Sequence, residues 1–397
     1  MTIRLSDARV LLYSHDTFGL GHLRRCRAIA NALVEAYGGL QVLIISGAPI
    51  AGAFDYRARV DFVKIPSVIK LRNGEYTSLA EHVDLSDTLK MRRAMILETA
   101  RSFQPDVFIV DKEPMGLHGE VEDTLDWLKG QGTRLVLGLR DVMDAPALLA
   151  AEWRRKKLVP RICKYFDDIW VYGPRGFHDP LAGVVVPAAL RERMRYVGFL
   201  KRKCRATAPR PADGPFVLVT PGGGGDGADL VRDVIAAYRE HPDLPRALIV
   251  CGPYMPAEER AIFRAEAEAI PALRMIDFTP RMEDLMGQAE AVICMSGYNT
   301  WCEVLSFDKP ALMLPRTEPR EEQLIRAMRA SELNAATMLL PEEARDCDLM
   351  AGKIRALATQ LPPSVGYPHP DLDGLPNIIR IVGEWLRPKQ VSGAVAS

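Results

Sequence analysis

The sequence predicts an α/β protein built from two doubly wound, Rossmann-like domains that face one cleft. Three observations predict this fold: helical segments alternate with short apolar segments along 397 residues, most apolar segments are continuous runs of Val, Ile and Leu, and a glycine-rich loop follows the first strand of each half. Continuous apolar runs are typical of parallel strands that are buried on both faces. A chain of this length is long enough for two domains of ordinary size.

The first half, residues 1–203, is predicted to form one of the two domains. Its first strand leads into Phe18-Gly19-Leu20-Gly21-His22 and then into a helix from about Leu23 to Tyr37. Glycines after a buried strand allow a ligand to approach the backbone, and the following helix offers free N–H groups to an anion. The predicted strands of this half are Arg9–Tyr13, Gln41–Ile45, Asp61–Lys64, Val107–Val110, Arg134–Gly138 and Asp168–Val171.

The second domain is predicted over residues 204–376, after a basic, proline-containing connector that begins at Lys201. Its first strand leads into Pro221-Gly222-Gly223-Gly224-Gly225 and a helix from Ala228 to Arg239. A last helix, residues 377–387, is expected to pack back on the first domain, and residues 388–397 are expected to be a disordered tail. The predicted strands are Phe216–Val219, Ala247–Val250, Leu273–Ile276, Ala291–Cys294 and Ala311–Leu314.

The composition excludes several classes of protein. Lys and Arg together number 51, as do Asp and Glu, and this zero net charge argues against a general nucleic-acid binder. The seven cysteines are scattered without a CxxC pair, which favours reduced thiols over a disulfide framework or a zinc site. The first residues lead directly into a strand without a signal peptide, and no apolar run is long enough to span a bilayer. We therefore expect a cytoplasmic protein.

The segment from Cys294 to Glu303 has the strongest local pattern. A strand ends at Cys294, a loop of small residues follows, and a helix is predicted to begin near Asn299. Free N–H groups at this helix start could hold a diphosphate, and Glu303, one turn further, could accept the hydroxyl protons of a ribose. In the alternative interpretation, Ser296 and Asn299 are ordinary N-caps and Glu303 interacts with the helix dipole.

Two residues at the carboxyl ends of first-half strands are candidates for catalysis. His22 begins a helix, and a helix N-terminus favours the neutral imidazole that a general base requires. Asp111 ends an apolar run, so it could orient His22 or act as the base itself. The alternatives are a histidine that only bonds its loop, and an aspartate that caps a helix or pairs with Lys112. His15 is a second histidine at the mouth of the predicted cleft.

Four pieces occur in an order that resembles the GT-B glycosyltransferases, and more closely the family 28 type. This type includes the N-acetylglucosaminyltransferase that forms lipid II. The four pieces are the glycine loop ending in His22, the loop Gly222–Gly225, the segment Ser296–Glu303, and Asp308–Pro315 with downstream Gln323. The resemblance spans nearly the whole chain, and its specific motifs lie in the second half.

The resemblance implies that the second domain holds the nucleotide of a UDP-sugar. Phe278 and Thr279 would lie beside the base, Glu303 would bind the ribose and Gln323 would reach the sugar. Without the resemblance, Phe278 could equally be a core aromatic and Gln323 a solvated helix residue. The residues implied at the phosphates are Gly222, Gly223, Gly224, Gly225, Ser296, Gly297 and Asn299.

The predicted function is inverting transfer of a sugar from a UDP-sugar to a hydroxyl acceptor without a metal or other cofactor. No His, Cys and Asp cluster has metal-ligand spacing, so Arg281 and Arg316 are candidates to meet the charge of the diphosphate. Gly19 and Gly21 would line the acceptor side. Their loop departs from that of the lipid II-forming enzyme and looks like that of the UDP-sugar hydrolase of pseudaminic acid synthesis.

Three alternatives therefore stay open at this point: a nucleotide-sugar hydrolase, an epimerase on the same scaffold, and a non-catalytic protein that binds sugar nucleotides or polysaccharides. Two basic clusters, Trp153–Lys157 and Lys201–Lys203, are solvated surface or linker in one interpretation. In the other they touch the inner face of an anionic membrane that carries a lipid-linked acceptor, at about 1 kcal/mol per basic residue near the surface.

Overall fold

The structure is a computed structural model that describes residues 3–4, 7–15, 19–70, 76–80, 82–205 and 214–386. Phe18 of the first glycine loop, most of the connector after Arg205 and the tail expected at 388–397 lie outside the described residues. Among the helices of the described ranges, none is both long and apolar enough to cross a membrane.

The first domain carries eleven strands within the described residues. They are β1 (Ile3–Arg4), β2 (Arg9–Ser14), β3 (Tyr37–Gly38), β4 (Gln41–Ser46), β5 (Val60–Lys64), β6 (Val68–Lys70), β7 (Tyr76–Ser78), β8 (Val107–Asp111), β9 (Arg134–Arg140), β10 (Asp168–Tyr172) and β11 (Met194–Tyr196). Its helices are α1 (Gly21–Ala36), α2 (Leu85–Phe103), α3 (Glu122–Gly130), α4 (Pro146–Arg155), α5 (Leu158–Tyr165) and α6 (Ala188–Glu192), with short 3-10 turns at Ala51–Ala53 and Leu117–Gly119.

The second domain has six strands in the part of the chain that the structure describes. They are β12 (Val217–Thr220), β13 (Ala247–Val250), β14 (Leu273–Ile276), β15 (Ala291–Cys294), β16 (Ala311–Met313) and β17 (Thr337–Met338). The remaining helices are α7 (Ala228–Glu240), α8 (Ala257–Glu268), α9 (Met282–Gln288), α10 (Tyr298–Phe307), α11 (Glu322–Glu332), α12 (Pro341–Ala344), α13 (Cys347–Ala356), α14 (Pro363–Gly366) and α15 (Gly374–Leu386).

Each domain is built on one parallel sheet, as predicted. The strand order is β11-β10-β9-β8-β2-β4-β5 in the first domain and β14-β13-β12-β15-β16-β17 in the second. All strands predicted from the sequence are present, with ends that differ by at most two residues. The edge strands β11 and β17 were missed because they are short and are not continuous apolar runs. The antiparallel hairpin β6–β7 was missed for the same reason.

The strand order reverses beside the first strand of each sheet. The chain runs from β2 to β4 and β5 in one direction and from β8 to β11 in the other; in the second sheet the reversal lies between β12 and β15. Ligands of doubly wound sheets bind in the crevice at such a reversal, beyond the carboxyl ends of the strands. The loops after β2, β8, β12 and β15 are therefore the ones that build the site.

The buried faces of the sheets connect the two domains. Alternate residues of β2 belong to different apolar clusters, because successive side chains point to opposite faces of a sheet. The cluster that contains Val10 continues into the second domain, where Trp301 packs edge-on against Phe199 with ring centroids 6.2 Å apart. The domain interface is therefore partly apolar.

The last helix, α15, packs on the first domain. Trp385 stacks on Trp170 at a centroid distance of 5.9 Å, and the Tyr37 hydroxyl donates to the backbone oxygen of Ile379 at 2.7 Å. A Cβ atom at Gly383 would lie 1.9 Å from that hydroxyl oxygen, so glycine is required for this close approach.

Candidate active site

The two glycine loops meet across a cleft between the domains. A Cβ atom at Gly223 would lie only 3.4 Å from the Cα atom of Gly19. The cleft has about 1180 Å³ of empty space, opens to solvent, and is lined by both loops and by the start of α10. A ligand in this cleft therefore touches both domains.

Most residues predicted to bind the donor line this cleft. Gln323 is 8% exposed, which excludes the alternative of a solvated helix residue. Phe278 is only partly buried and packs edge-on against Phe54 of the first domain at a centroid distance of 6.1 Å, so it lies at the wall of the cleft. The predicted residues that line the cleft are Gly19, Gly21, Gly222, Gly223, Gly225, Phe278, Thr279, Gly297, Asn299, Glu303 and Gln323.

Three predicted donor residues have structural roles that the sequence did not indicate. Ser296 is fully buried, and its hydroxyl donates to the backbone oxygen of Gln323 at 2.7 Å, so the hydroxyl does not face the cleft. Gly224 has a positive φ of 89°, and a Cβ atom there would lie 2.4 Å from the backbone oxygen of Cys251. Gly224 therefore shapes the loop behind the cleft.

Asn299 connects the domains through both ends of its amide. Its Nδ2 donates to the backbone oxygen of Gly21 at 3.0 Å, and its Oδ1 accepts from Arg202 at 2.7 Å. Asn299 therefore does not cap α10 as the alternative interpretation predicted, and it lines the cleft.

Glu303 is a buried carboxylate with one engaged and one free oxygen. Its Oε1 accepts from Arg24 of α1, on the opposite wall of the cleft, and Arg24 also bonds Glu283 at 3.1 Å. Within the described residues, Oε2 is buried without a hydrogen-bond partner. Burial raises the pKa of Glu303, and Arg24 opposes this shift. A buried acceptor without a donor is suited to receive hydroxyl protons from a ligand.

His22, Asp111 and Arg25 form a buried triad beside the cleft. His22 Nδ1 lies 2.6 Å from Asp111 Oδ2, and Arg25 donates to both oxygens of Asp111 at 3.1 and 2.6 Å. Desolvation lowers the pKa of His22 to about 4, whereas Arg25 holds the pKa of Asp111 well below its usual range. Because an ionised carboxylate only accepts hydrogen bonds, Nδ1 carries the proton and the lone pair is on Nε2. Asp111 therefore orients His22 and does not pair with Lys112.

His15 lies next to this triad in a second buried network. Its ring centroid is 5.6 Å from that of His22, and its Nδ1 is 3.2 Å from the Tyr13 hydroxyl. Tyr13 donates its proton to Glu120, which two nitrogens of Arg92 also hold at 2.6 Å. His15 Nδ1 must then be the donor to Tyr13. Desolvation lowers the pKa of His15 to about 3, so both histidines of this wall are neutral.

Two arginines were predicted candidates to meet the diphosphate charge, and a third arginine at the cleft was not predicted. Arg316 lines the cleft and is held by Glu322 at 2.5 Å and Asp226 at 3.2 Å. Arg281 instead bonds Asp55 of the first domain at 2.8 Å, so it joins the domains. Arg140, at the carboxyl end of β9, lines the cleft and was not singled out. A charged residue that ends an apolar run is the signal that could have found it.

The two basic clusters are not uniform surfaces. Trp153 is 3% exposed, and Lys156 pairs with Glu152 at 2.6 Å. Arg202 is also buried and bonds Asn299, whereas its neighbours Lys201 and Lys203 are exposed. Across the described ranges, no group of three or more His, Cys, Asp and Glu side chains is arranged to hold a metal ion.

Comparison with known proteins assigns both the second domain and the fold. Residues 216–360 match the model of the glycosyltransferase family 28 C-terminal domain. The chain is 26% identical over 277 residues to the UDP-N-acetylglucosamine–N-acetylmuramyl-(pentapeptide) pyrophosphoryl-undecaprenol N-acetylglucosamine transferase of Acidothermus cellulolyticus. This alignment covers 66% of this chain and 72% of that protein. It is 25% identical to the enzyme of the same description from Rhodococcus opacus, over 54% of this chain and 61% of that protein.

Solved structures share the architecture at low sequence identity. A UDP-glucosyltransferase from Polygonum tinctorium superposes with a TM-score of 0.60 at 14% identity, over 96% of this chain and 99% of that one. MurG of Acinetobacter baumannii superposes with a TM-score of 0.56 at 13% identity, over 95% of this chain and 99% of that one. The resemblance predicted from the sequence is confirmed: this chain is a glycosyltransferase of the GT-B fold, and its residues 216–360 match the family 28 C-terminal domain.

Proposed function

We propose that this protein transfers a sugar from a UDP-sugar to a hydroxyl acceptor by a single inverting displacement. The observation that carries the proposal is the 2.6 Å contact of His22 Nδ1 with Asp111, itself fixed by Arg25, at the start of the helix whose first residue lines the cleft. A neutral imidazole with a fixed tautomer is what a general base requires.

In this mechanism, His22 Nε2 removes the proton of the acceptor hydroxyl as the oxygen attacks the anomeric carbon. The bond between that carbon and the diphosphate breaks on the opposite face, and UDP leaves. Asp111 keeps the proton on Nδ1 and stabilises the imidazolium that forms. One displacement inverts the anomeric configuration.

The donor is expected to lie on the second domain. The glycine loop after β12 and the free N–H groups of α10 would hold the diphosphate, and Glu303 Oε2 would accept from the ribose. Phe278 and Thr279 would flank the base, and Gln323 would contact the sugar. Cationic side chains of this chain would take the place of a metal.

The acceptor is proposed to be lipid-linked, with peripheral contact at the inner face of a membrane. The printed description of the Acidothermus cellulolyticus relative names an undecaprenol-linked acceptor. In this chain, the basic residues Arg154, Arg155 and Lys157 are exposed. Leu148, an apolar residue of the helix α4 that also contains Arg154 and Arg155, is 45% exposed. Binding to anionic vesicles that falls with added salt would support this contact, whereas binding that does not depend on lipid charge would contradict it.

The decisive experiment measures UDP release from UDP-sugars by the wild type and by His22→Ala. Each protein is assayed with and without a lipid extract that supplies the acceptor. Transfer predicts that the acceptor increases UDP release by the wild type and that His22→Ala loses this increase while still binding donor. Equal release with water alone would show hydrolysis. Normal turnover of His22→Ala would remove His22 as the base. A thermal-shift comparison of UDP-, GDP-, dTDP- and ADP-sugars tests the nucleotide.

A further inference from the structure

Arg140 is the cation of the cleft that lacks a close carboxylate. Its Nε and Nη2 atoms are buried without hydrogen-bond partners in the described structure, and Nη1 reaches Glu322 only at 4.0 Å. Its side chain is 12% exposed, so the guanidinium has lost most of its water as well.

Each neighbouring arginine has a carboxylate within hydrogen-bonding distance. Arg25 is held by Asp111 at 2.6 Å and Arg326 by Asp141 at 2.7 Å, while Arg316 takes Glu322 at 2.5 Å. Burial, together with the positive charges of Arg25 and Arg326, lowers the pKa of Arg140 to about 10. Glu322 at 4.0 Å therefore compensates the buried guanidinium of Arg140 only in part, and a bound anion would stabilise it further.

The position of Arg140 indicates which anion it meets. On the parallel pair β8–β9, Gly138 lies opposite Asp111, the carboxylate that orients His22. Arg140 lies two residues further along β9. It also lines the cleft together with Gly222, Gly223 and Thr300 of the second domain. Arg140 therefore faces the same cleft as the loop proposed to hold phosphates, from the wall of the first domain that carries the proposed base.

We propose that Arg140 binds the sugar-bearing phosphate of the nucleoside diphosphate, reaching it from the first domain. This inference rests on the proposed function. A guanidinium presents paired N–H donors to phosphate oxygens, and its charge is most valuable when negative charge develops on the departing oxygen. In the absence of donor, the same residue costs stability.

The test compares the Kd of UDP and UMP for the wild type, Arg140→Gln and Arg140→Lys by calorimetry. UMP lacks the second phosphate, so Arg140→Gln should weaken UDP binding by about 10- to 100-fold and leave UMP binding unchanged. Arg140→Lys should restore part of the UDP affinity, because lysine supplies the charge without the paired donors. A matched control is Arg134→Gln at the other end of the same strand, where Arg134 pairs with Asp168 at 2.6 Å.

Thermal unfolding separates this role from a structural one. Without nucleotide, Arg140→Gln should unfold at the same temperature as the wild type or higher, because a buried unpaired cation has been removed. A lower unfolding temperature together with equal losses of UDP and UMP would overturn the proposal, as would wild-type UDP affinity in Arg140→Gln. If the wild type binds no nucleotide, the proposed function itself fails.

Discussion

Replacing Glu303 with glutamine should abolish the preference of this protein for UDP over its deoxyribose analogues. Glu303 is 1% exposed, and its Oε1 is already bonded to Arg24 from the other domain. The other oxygen of this carboxylate, Oε2, is buried without a hydrogen-bond partner in the described structure. A ribose hydroxyl that enters the cleft would donate to Oε2, and glutamine removes the negative charge that makes this bond strong.

The expected loss of UDP affinity follows from the single free oxygen of Glu303. One hydrogen bond to a charged group contributes about 1.5–3 kcal/mol, which corresponds to about 10- to 100-fold in Kd. A second ribose hydroxyl would have to share Oε1 with Arg24, so we do not expect its contribution to add in full. Arg24 keeps Glu283 at 3.1 Å in the variant, so it is not left as an unpaired buried charge.

Calorimetric titration with UDP and with its 2′-deoxy and 3′-deoxy analogues measures this effect. The wild type should bind UDP more tightly than at least one analogue, and Glu303→Gln should bind all three alike. Glu283→Gln is the matched control, because it weakens the other ion pair of Arg24 without touching the predicted ribose site. If Glu303→Gln retains the wild-type preference, Glu303 does not bind the ribose and its role is confined to the ion pair with Arg24.

Four further outcomes test the catalytic wall and the domain interface. His22→Ala should lower kcat by about 10²- to 10⁴-fold with unchanged UDP affinity, as steady-state kinetics and titration together would measure. Since burial lowers the pKa of His22 to about 4, kcat should stay constant down to about pH 5 and be halved near pH 4, whereas an acid limb near 6.5 would indicate a solvated base. The same lowered pKa means that the unfolded chain takes up a proton first, so denaturant unfolding should show stability being lost as the pH falls from about 6.5 towards 4. Asp141→Asn leaves the fully buried Arg326 without its bidentate partner and should lower the free energy of unfolding by about 3–5 kcal/mol, a loss that a surface pair such as Arg380 with Glu384 would not show.

The fold could be predicted from the sequence because its signals are local. Each central strand is a run of four or more apolar residues, as in β8, where every residue of Val107–Asp111 is buried. Such a run identifies a strand buried on both faces whatever its neighbours are. The edge strand Met194–Tyr196 carries no such run, because one side of an edge strand needs no apolar cover. Local rules therefore identify the central strands and the edge strands β5 and β14, and miss the shorter edge strands β11 and β17.

The candidate site could be predicted where a residue directly follows a strand or begins the next helix. The loop Gly222–Gly225 and the start of α10 follow their strands directly, so the sequence places them at the carboxyl edge. The contact of Asn299 with Gly21 joins residues 278 positions apart, and that of Arg24 with Glu303 joins residues 279 apart. Both depend on how the domains face each other, which no local pattern encodes.

Arg140 shows why a correct local rule can still fail at the site. The rule that singled out Asp111, a charged residue at the end of an apolar strand, applies equally to Arg140. In the sequence, however, Arg140 is followed by Asp141, and adjacent opposite charges suggest a pair that neutralises itself. In the structure, Asp141 instead accepts two hydrogen bonds, of 2.7 and 2.8 Å, from Arg326 of the second domain. Arg326 thus holds this carboxylate across the domain interface, and the nearest carboxylate to Arg140 is that of Glu322 at 4.0 Å, beside the cleft where the two glycine loops meet.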